Sequence, residues 1–255
     1  MQTAADLPTP LLILLPGLDG TGKLFGEFIE ALGGQVDTRI VTYPLDRRLG
    51  YEDLERLVRS ALPADRSFVV LAESFSGPIA IRIAADPPPG LAGVILCVTF
   101  AKNPFPLLAW LRPVVAALPV KSMPRWVRSV FMWGPRSGKR MPAPENRATA
   151  AVDSGVLRHR IGAMLGVDAT VALTRIEVPM LVVQATADNV VPAAATPYIL
   201  RMQPRARHAP IEGPHLLLQS RPGECAAVVI PFLRDAIHSA PAADAPGDGR
   251  GIGRF

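Results

Sequence analysis

Five short, continuously apolar runs recur along the chain: LLILLP (residues 11–16), RIVTYP (39–44), SFVVLAE (67–73), GVILCVTF (93–100) and PMLVVQAT (179–186). Runs of this kind suit strands covered on both faces, which is the condition of a parallel sheet. Between them, FGEFIEALGG (25–34) and YEDLERLVRSALP (51–63) place apolar residues three and four apart, as crossover helices do. The pattern predicts an open, doubly wound α/β domain.

The alternation stops after Phe100. Residues 101–176 hold no strand-like run, and prolines at 104, 106, 113 and 119 and tryptophans at 110, 126 and 133 stand among scattered arginines. This predicts a helical insertion between the fourth and fifth of the quoted strands, so the core comprises residues 11–100 and 177–235. The final stretch, 239–255, has no apolar periodicity and is expected to be disordered.

Composition narrows the class. With 255 residues, 49% of them apolar, the chain can fill a sizeable core. Its apolar runs fall far short of the roughly 18 residues that span a bilayer. The start, MQTAADLP, lacks a basic segment leading into an apolar one, so a cytoplasmic protein is expected. Cys97 and Cys225 have no C-x-x-C partner and are expected to be buried, reduced thiols. Charge is uneven: residues 102–175 carry twelve Lys and Arg against Glu145, Asp153 and Asp168, in a chain of net charge +5. A basic insertion thus sits on an acidic remainder, which bears on partners more than on fold.

Residues 72–77, AESFSG, follow the SFVVL run and precede IAIRIAA, which has helical spacing. A serine at such a strand-to-helix turn can be a nucleophile elbow, whose neighbours two before and two after must be small. Ala72 and Ser76 meet that requirement around Ser74. With Ser76 as nucleophile, Pro78 would fall at the small position. A serine nucleophile needs a base, and the base an orienting acid. Of four histidines, His159 between Arg158 and Arg160, His208 before the last strand and His238 near the tail read as solvated surface residues. His215 instead stands in a loop after the last expected strand, in EGPH. Asp188 follows PMLVVQAT at the carboxyl end of its strand, where a turn-forming aspartate is the alternative. The order Ser74, Asp188, His215 is that of the α/β-hydrolase triad.

On these motifs residues 11–234 resemble an α/β-hydrolase. Pro16-Gly17-Leu18 is similar to the oxyanion loop, residues 72–76 to the elbow, DNVVP (188–192) to the acid loop and Gly213-Pro214-His215 to the histidine loop. The resemblance implies Ser74 as nucleophile, His215 as general acid and base, Asp188 as orienting acid, and the backbone amides of Leu18 and Phe75 as the oxyanion hole. It also implies that residues 101–176 form a helical cap over the site. With only ten residues before the first strand, a mostly parallel sheet of about six strands is expected. Pro16 replaces the more frequent histidine, and Ala72 and Ser76 the elbow glycines.

The same opening stretch, GLDGTGK (17–23), also matches the P-loop pattern G-x-x-x-x-G-K. Leu24 stands where Ser or Thr should hold Mg²⁺, and Phe25 where a dinucleotide fingerprint would want Gly or Ala. Gly17, Gly20 and Gly22 then read as a flexible turn bringing the Leu18 amide to a reacting carbonyl, and Lys23 as a solvated residue at a helix start.

The expected reaction is hydrolysis of a carboxylic ester, with an acyl thioesterase as the alternative and a ligand-binding or signalling protein as the non-enzyme reading. It requires no metal or organic cofactor. Phe105, Leu108, Trp110, Trp126 and Phe131 are candidates to line an acyl pocket. The basic face of the insertion, including Arg112, Lys121, Arg125 and Arg128, is a candidate docking surface for an anionic acyl carrier protein. In that respect the chain is similar to pimeloyl-carrier-protein methyl ester esterases. Nucleic acid is not an expected partner, since no recognised module is present.

Overall fold

The computed structural model describes residues 10–111 and 150–239. Six parallel strands form one sheet: β1 (Leu11–Leu15), β2 (Asp37–Ile40), β3 (Phe68–Glu73), β4 (Leu91–Cys97), β5 (Met180–Ala185) and β6 (Arg207–Ile211). Their order is β2-β1-β3-β4-β5-β6, as in the expected doubly wound sheet. From β1 the chain winds outward to β2 and then returns to continue in the other direction through β3. The carboxyl ends of β1 and β3 therefore flank a topological switch point, the place where open α/β sheets build their sites.

Successive side chains of each strand face opposite sides of the sheet. Leu11, Ile13, Leu15, Val70 and Ala72 face a core formed with α2 (Tyr51–Ala61), α3 (Gly77–Ala85), α5 (Thr170–Thr174) and α6 (Ala195–Met202). Leu12, Leu14, Val69 and Leu71 face the opposite core, formed with α1 (Gly26–Ala31) and α8 (Pro222–Ser239). Cys97 and Cys225 lie in this second core, free and buried.

Strand limits differ from the sequence expectation for physical reasons. RIVTYP pairs only as far as Ile40, opposite Leu14, with Val41 N–H donating to Leu14 O at 3.0 Å beyond it. β2 is an edge strand, and its residues Asp37, Thr38 and Arg39 suit that position. His208 lies within β6 rather than before it, exposed and bonded through Nε2 to Gln184 Oε1 at 2.9 Å. After His215 the chain forms two helices, α7 (Leu217–Ser220) and α8, and α8 continues to Ser239.

Between β4 and β5 the described part of the insertion contains a 3-10 turn, Pro106–Leu111, then α4 (Ser154–Met164) and α5. Its base is closed by Asn103 N–H donating to Val167 O at 2.8 Å and Ala169 N–H to Ala101 O at 2.9 Å. Helix α4 begins at Asp153, whose Oδ1 accepts from the amides of Gly155 and Val156 at 2.7 and 3.2 Å, a side-chain N-cap. Its buried face presents Val156, Leu157 and Arg160 to the core domain, with Leu18 and Leu45 packed against the apolar pair.

Candidate active site

Ser74 directly follows β3 with φ at 51°, one of two non-glycine residues among those described in the left-handed region. A serine held there is strained, and the strain is what points its Oγ out of the sheet. The turn is secured from below. Thr99 Oγ1 donates to Ser74 O, and Tyr51 donates its hydroxyl to Phe75 O at 3.1 Å while its ring stacks on Phe75 at 4.8 Å. Ser76 is fully buried and donates to Pro16 O, so it is excluded as the exposed serine of this turn.

The loops after β5 and β6 converge on Ser74. They are laced together by Thr186 N–H donating to Ile211 O and Ala187 N–H to Gly213 O, both at 3.0 Å. His215 Nε2 lies 2.9 Å from Ser74 Oγ, and its Nδ1 lies 2.8 Å from Asp188 Oδ2. A carboxylate only accepts, so Asp188 keeps the proton on Nδ1 and leaves Nε2 to accept from the serine hydroxyl. Asp188 is itself held, its Oδ1 accepting from Val190 and Val191 amides at 2.7 and 2.9 Å. The imidazole is 6% exposed, which shields the relay from competing water.

The loop after β1 closes the other side. A Cβ on Gly17 would lie 3.9 Å from both Ser74 Cβ and Glu73 Oε2. The turn expected to be flexible is instead held through its carbonyls. Pro16 O accepts from Ser76 Oγ, Gly17 O from Gly20 N–H at 3.1 Å, and Gly20 O from Tyr43 N–H at 2.8 Å. Leu18 O and Asp19 O both accept from Arg160 Nη1, at 2.8 and 2.9 Å. Phe75 lies in the first turn after Ser74, where helical amides have no intrahelical acceptor.

Four polar residues at this site went unnoticed in the sequence. Arg160, named only as a neighbour of His159, is 1% exposed. Glu73, adjacent to Ser74, is buried, and burial pushes its carboxyl up to about 7, against the opposing pull of the Gln219 hydrogen bond and of His215. Gln219 Nε2 donates to Glu73 Oε1 at 3.0 Å. Tyr43 hydroxyl lies 2.5 Å from Ser76 Oγ, and since Ser76 gives its proton to Pro16 O, Tyr43 is the donor of that pair. Burial raises the Tyr43 phenol above its ordinary value, which keeps it a donor. Of these only Tyr43 carried a signal, as an aromatic ending an apolar run.

The remaining candidates are placed as follows. Leu108 and Trp110 present their side chains to solvent, and Phe105 is half-buried. Trp126, Phe131, Arg112, Lys121, Arg125, Arg128 and residues 240–255 of the tail lie outside the described residues. Lys23 is exposed at the start of a 3-10 turn, and His159 is exposed. Among the described residues no group of three or more His, Cys, Asp or Glu could hold a metal ion, and no helix is long and apolar enough to cross a membrane.

Comparison with known proteins places this geometry. A family model described as "Alpha/beta hydrolase family" matches residues 12–228. Among solved structures, a hydrolase from Pseudomonas aeruginosa PA01 aligns with TM-score 0.74 at 22% identity, over 88% of this chain and 90% of that one. The enol-lactonase from Burkholderia xenovorans LB400 aligns with TM-score 0.72 at 16% identity, over 89% and 92%. A thermophilic esterase from Thermogutta terrifontis aligns with TM-score 0.69 at 18% identity, over 90% and 91%. At these identities the likeness is one of fold. No curated protein matches the chain.

Proposed function

The chain belongs to the alpha/beta hydrolase family, and on that premise we propose that it is a serine hydrolase cleaving carboxylic esters through an acyl-enzyme. The observation that carries the reading is the relay from Ser74 through His215 to Asp188, at 2.9 and 2.8 Å. As Ser74 Oγ attacks the ester carbonyl, His215 Nε2 takes its proton, and Asp188 stabilises the imidazolium. The Leu18 and Phe75 amides hold the tetrahedral oxyanion, His215 returns the proton to the leaving alcohol, and water repeats the sequence to free the acid.

The same relay would serve a thioester, and a carrier-linked acyl group docked on the basic insertion is the substrate class the charge distribution favours. Ser74→Ala is expected to lower p-nitrophenyl butyrate hydrolysis by at least about 10⁴-fold, and a fluorophosphonate should label Ser74 alone. An unchanged rate in the variant would overturn the reading. Absence of labelling in folded protein would favour a ligand-binding role instead.

A further inference from the structure

Arg160 is a buried cation with no carboxylate within ion-pair distance among the described residues, and its Nε has no hydrogen-bond partner. Burial lowers the guanidinium pKa, and Tyr43 and Asp19 act to raise it. What compensates the charge is three backbone carbonyls. Nη1 donates to Leu18 O and Asp19 O, and Nη2 donates to Pro44 O at 2.8 Å. These are charge-assisted bonds, set by one planar fork.

The three carbonyls belong to the turn that carries the Leu18 amide and to the chain leaving β2 beside it. In the turn Gly17 to Gly20, Gly17 O points inward to Gly20 N–H. Because that peptide is planar and trans, the Leu18 N–H points the opposite way. It donates to no protein acceptor among the described residues, leaving it free for a ligand oxygen. The two peptides that follow, through Leu18 O and Asp19 O, are held by Arg160, which fixes the chain on the carboxyl side of Leu18 and with it the turn that closes at Gly17 O. The turn is shaped to admit the guanidinium: Gly20 has φ at +72°, and a Cβ there would stand 2.6 Å from Arg160 Nη1 and 2.9 Å from Tyr43 Cβ.

Arg160 reaches this position from the insertion, not from the hydrolase core. Helix α4 also contributes Val156 and Leu157, with the Leu18 side chain packed against that cluster. The loop therefore has its carbonyls gripped from one side by α4 and from the other by Ser76 and Tyr43.

We propose that Arg160 is a positioning residue for the oxyanion hole, so that the seating of α4 sets the alignment of the Leu18 amide with Ser74. The inference rests on the esterase reading above. A group that only orients a transition-state donor affects kcat rather than substrate binding. Removing an oxyanion donor outright costs about 10²–10³-fold in kcat, so misaligning one is expected to cost about 30-fold.

The test compares Arg160→Met and Arg160→Lys with the parent enzyme, using p-nitrophenyl butyrate for kcat and KM per Ser74 site titrated with a fluorophosphonate. It adds the second-order rate of Ser74 phosphonylation, whose phosphoryl oxygen occupies the same hole, and inhibition by phenylboronic acid. Arg160→Met is expected to lose about 30-fold in kcat with KM changed less than about threefold, and to lose phosphonylation rate and boronate affinity in parallel. Arg160→Lys, which keeps the charge but not the fork, should recover part of each. If Arg160→Met does not fold, Arg160→Lys decides. A folded Arg160→Lys or Arg160→Met enzyme with the parent's kcat and phosphonylation rate overturns the proposal, as does a loss confined to KM. Failure of both variants to fold assigns Arg160 to folding alone and also overturns it. A parent protein that neither hydrolyses the ester nor reacts at Ser74 defeats the esterase reading and this inference together, whereas an active parent with indifferent variants defeats this inference only.

Discussion

Glu73 shows what a single residue does when strand geometry places it indoors. As the last residue of β3 it must face one side of the sheet, and its carboxyl ends beside Gly17 with Gln219 as its one donor among the described residues. Its pKa, raised to about 7 from an ordinary 4.5, means the folded protein holds a proton that the unfolded chain releases between those values. Its contribution to stability is therefore fully present below about pH 4.5 and lost as pH rises through about 7. Glu73→Gln should consequently unfold much like the parent at pH 5 and be more stable at pH 8, by an amount of the order of 3 kcal/mol. Thermal unfolding at the two pH values checks this, and a pH-independent difference would contradict it. The motif AESFSG singled out Ser74 from local spacing alone, but nothing local distinguishes a buried Glu73 from a solvated one. The same blindness applies to Arg160, whose charge argued for the surface while its position one turn beyond Val156 put it on the buried face.

Among the elements, α3 is the one whose placement the serine depends on. It begins at Gly77, where a Cβ would come within 2.7 Å of Thr99 Cγ2 and against the hydroxyl that bonds Ser74 O. In a helix Gly→Ala ordinarily stabilises by about 0.5–1 kcal/mol. Gly162, in α4, has nothing within 4 Å of such a Cβ, and Gly162→Ala should show that gain. Gly77→Ala should instead destabilise by about 2 kcal/mol and reduce the proposed hydrolysis of p-nitrophenyl butyrate, because Thr99 must shift and release the Ser74 carbonyl. Urea unfolding of the two variants gives opposite signs if the crowding at Thr99 is real. The apolar runs made β1, β3, β4 and β5 legible, because a strand covered on both faces has no polar alternation to blur it, whereas the exposed edge strand β2 shares only Arg39 and Ile40 with its quoted run. Their ends were less so: β2 stops at Ile40, opposite Leu14, and that is a property of the pair.

At the scale of the molecule, two apolar layers clamp one sheet, and both cysteines belong to the same layer. Burial pushes Cys225 up to about 12 and Cys97 well above the ordinary thiol range. Neither should react with Ellman's reagent at pH 8 in the folded protein, and both should react once urea unfolds it. A rapid native reaction would mean that the face covered by α8 opens independently of the rest. The winding of the sheet also explains why the site assembles where it does. Reversal of strand order between β1 and β3 brings the loop after β1 beside Ser74, so that a Cβ on Gly17 would lie 3.9 Å from Ser74 Cβ.

The sequence by itself determined the class of fold, through apolar periodicity, and the order of the three residues that meet at the site. Both are properties a chain carries locally, in spacing and in which residue follows which strand. Only the tertiary structure decided that the turn after β1 is held by its carbonyls, and that a charged residue between β4 and β5 does part of the holding. Those facts depend on hydrogen bonds between atoms up to 142 residues apart. A carbonyl leaves no mark in the sequence of the donor that will reach it, because every residue has the same carbonyl to offer.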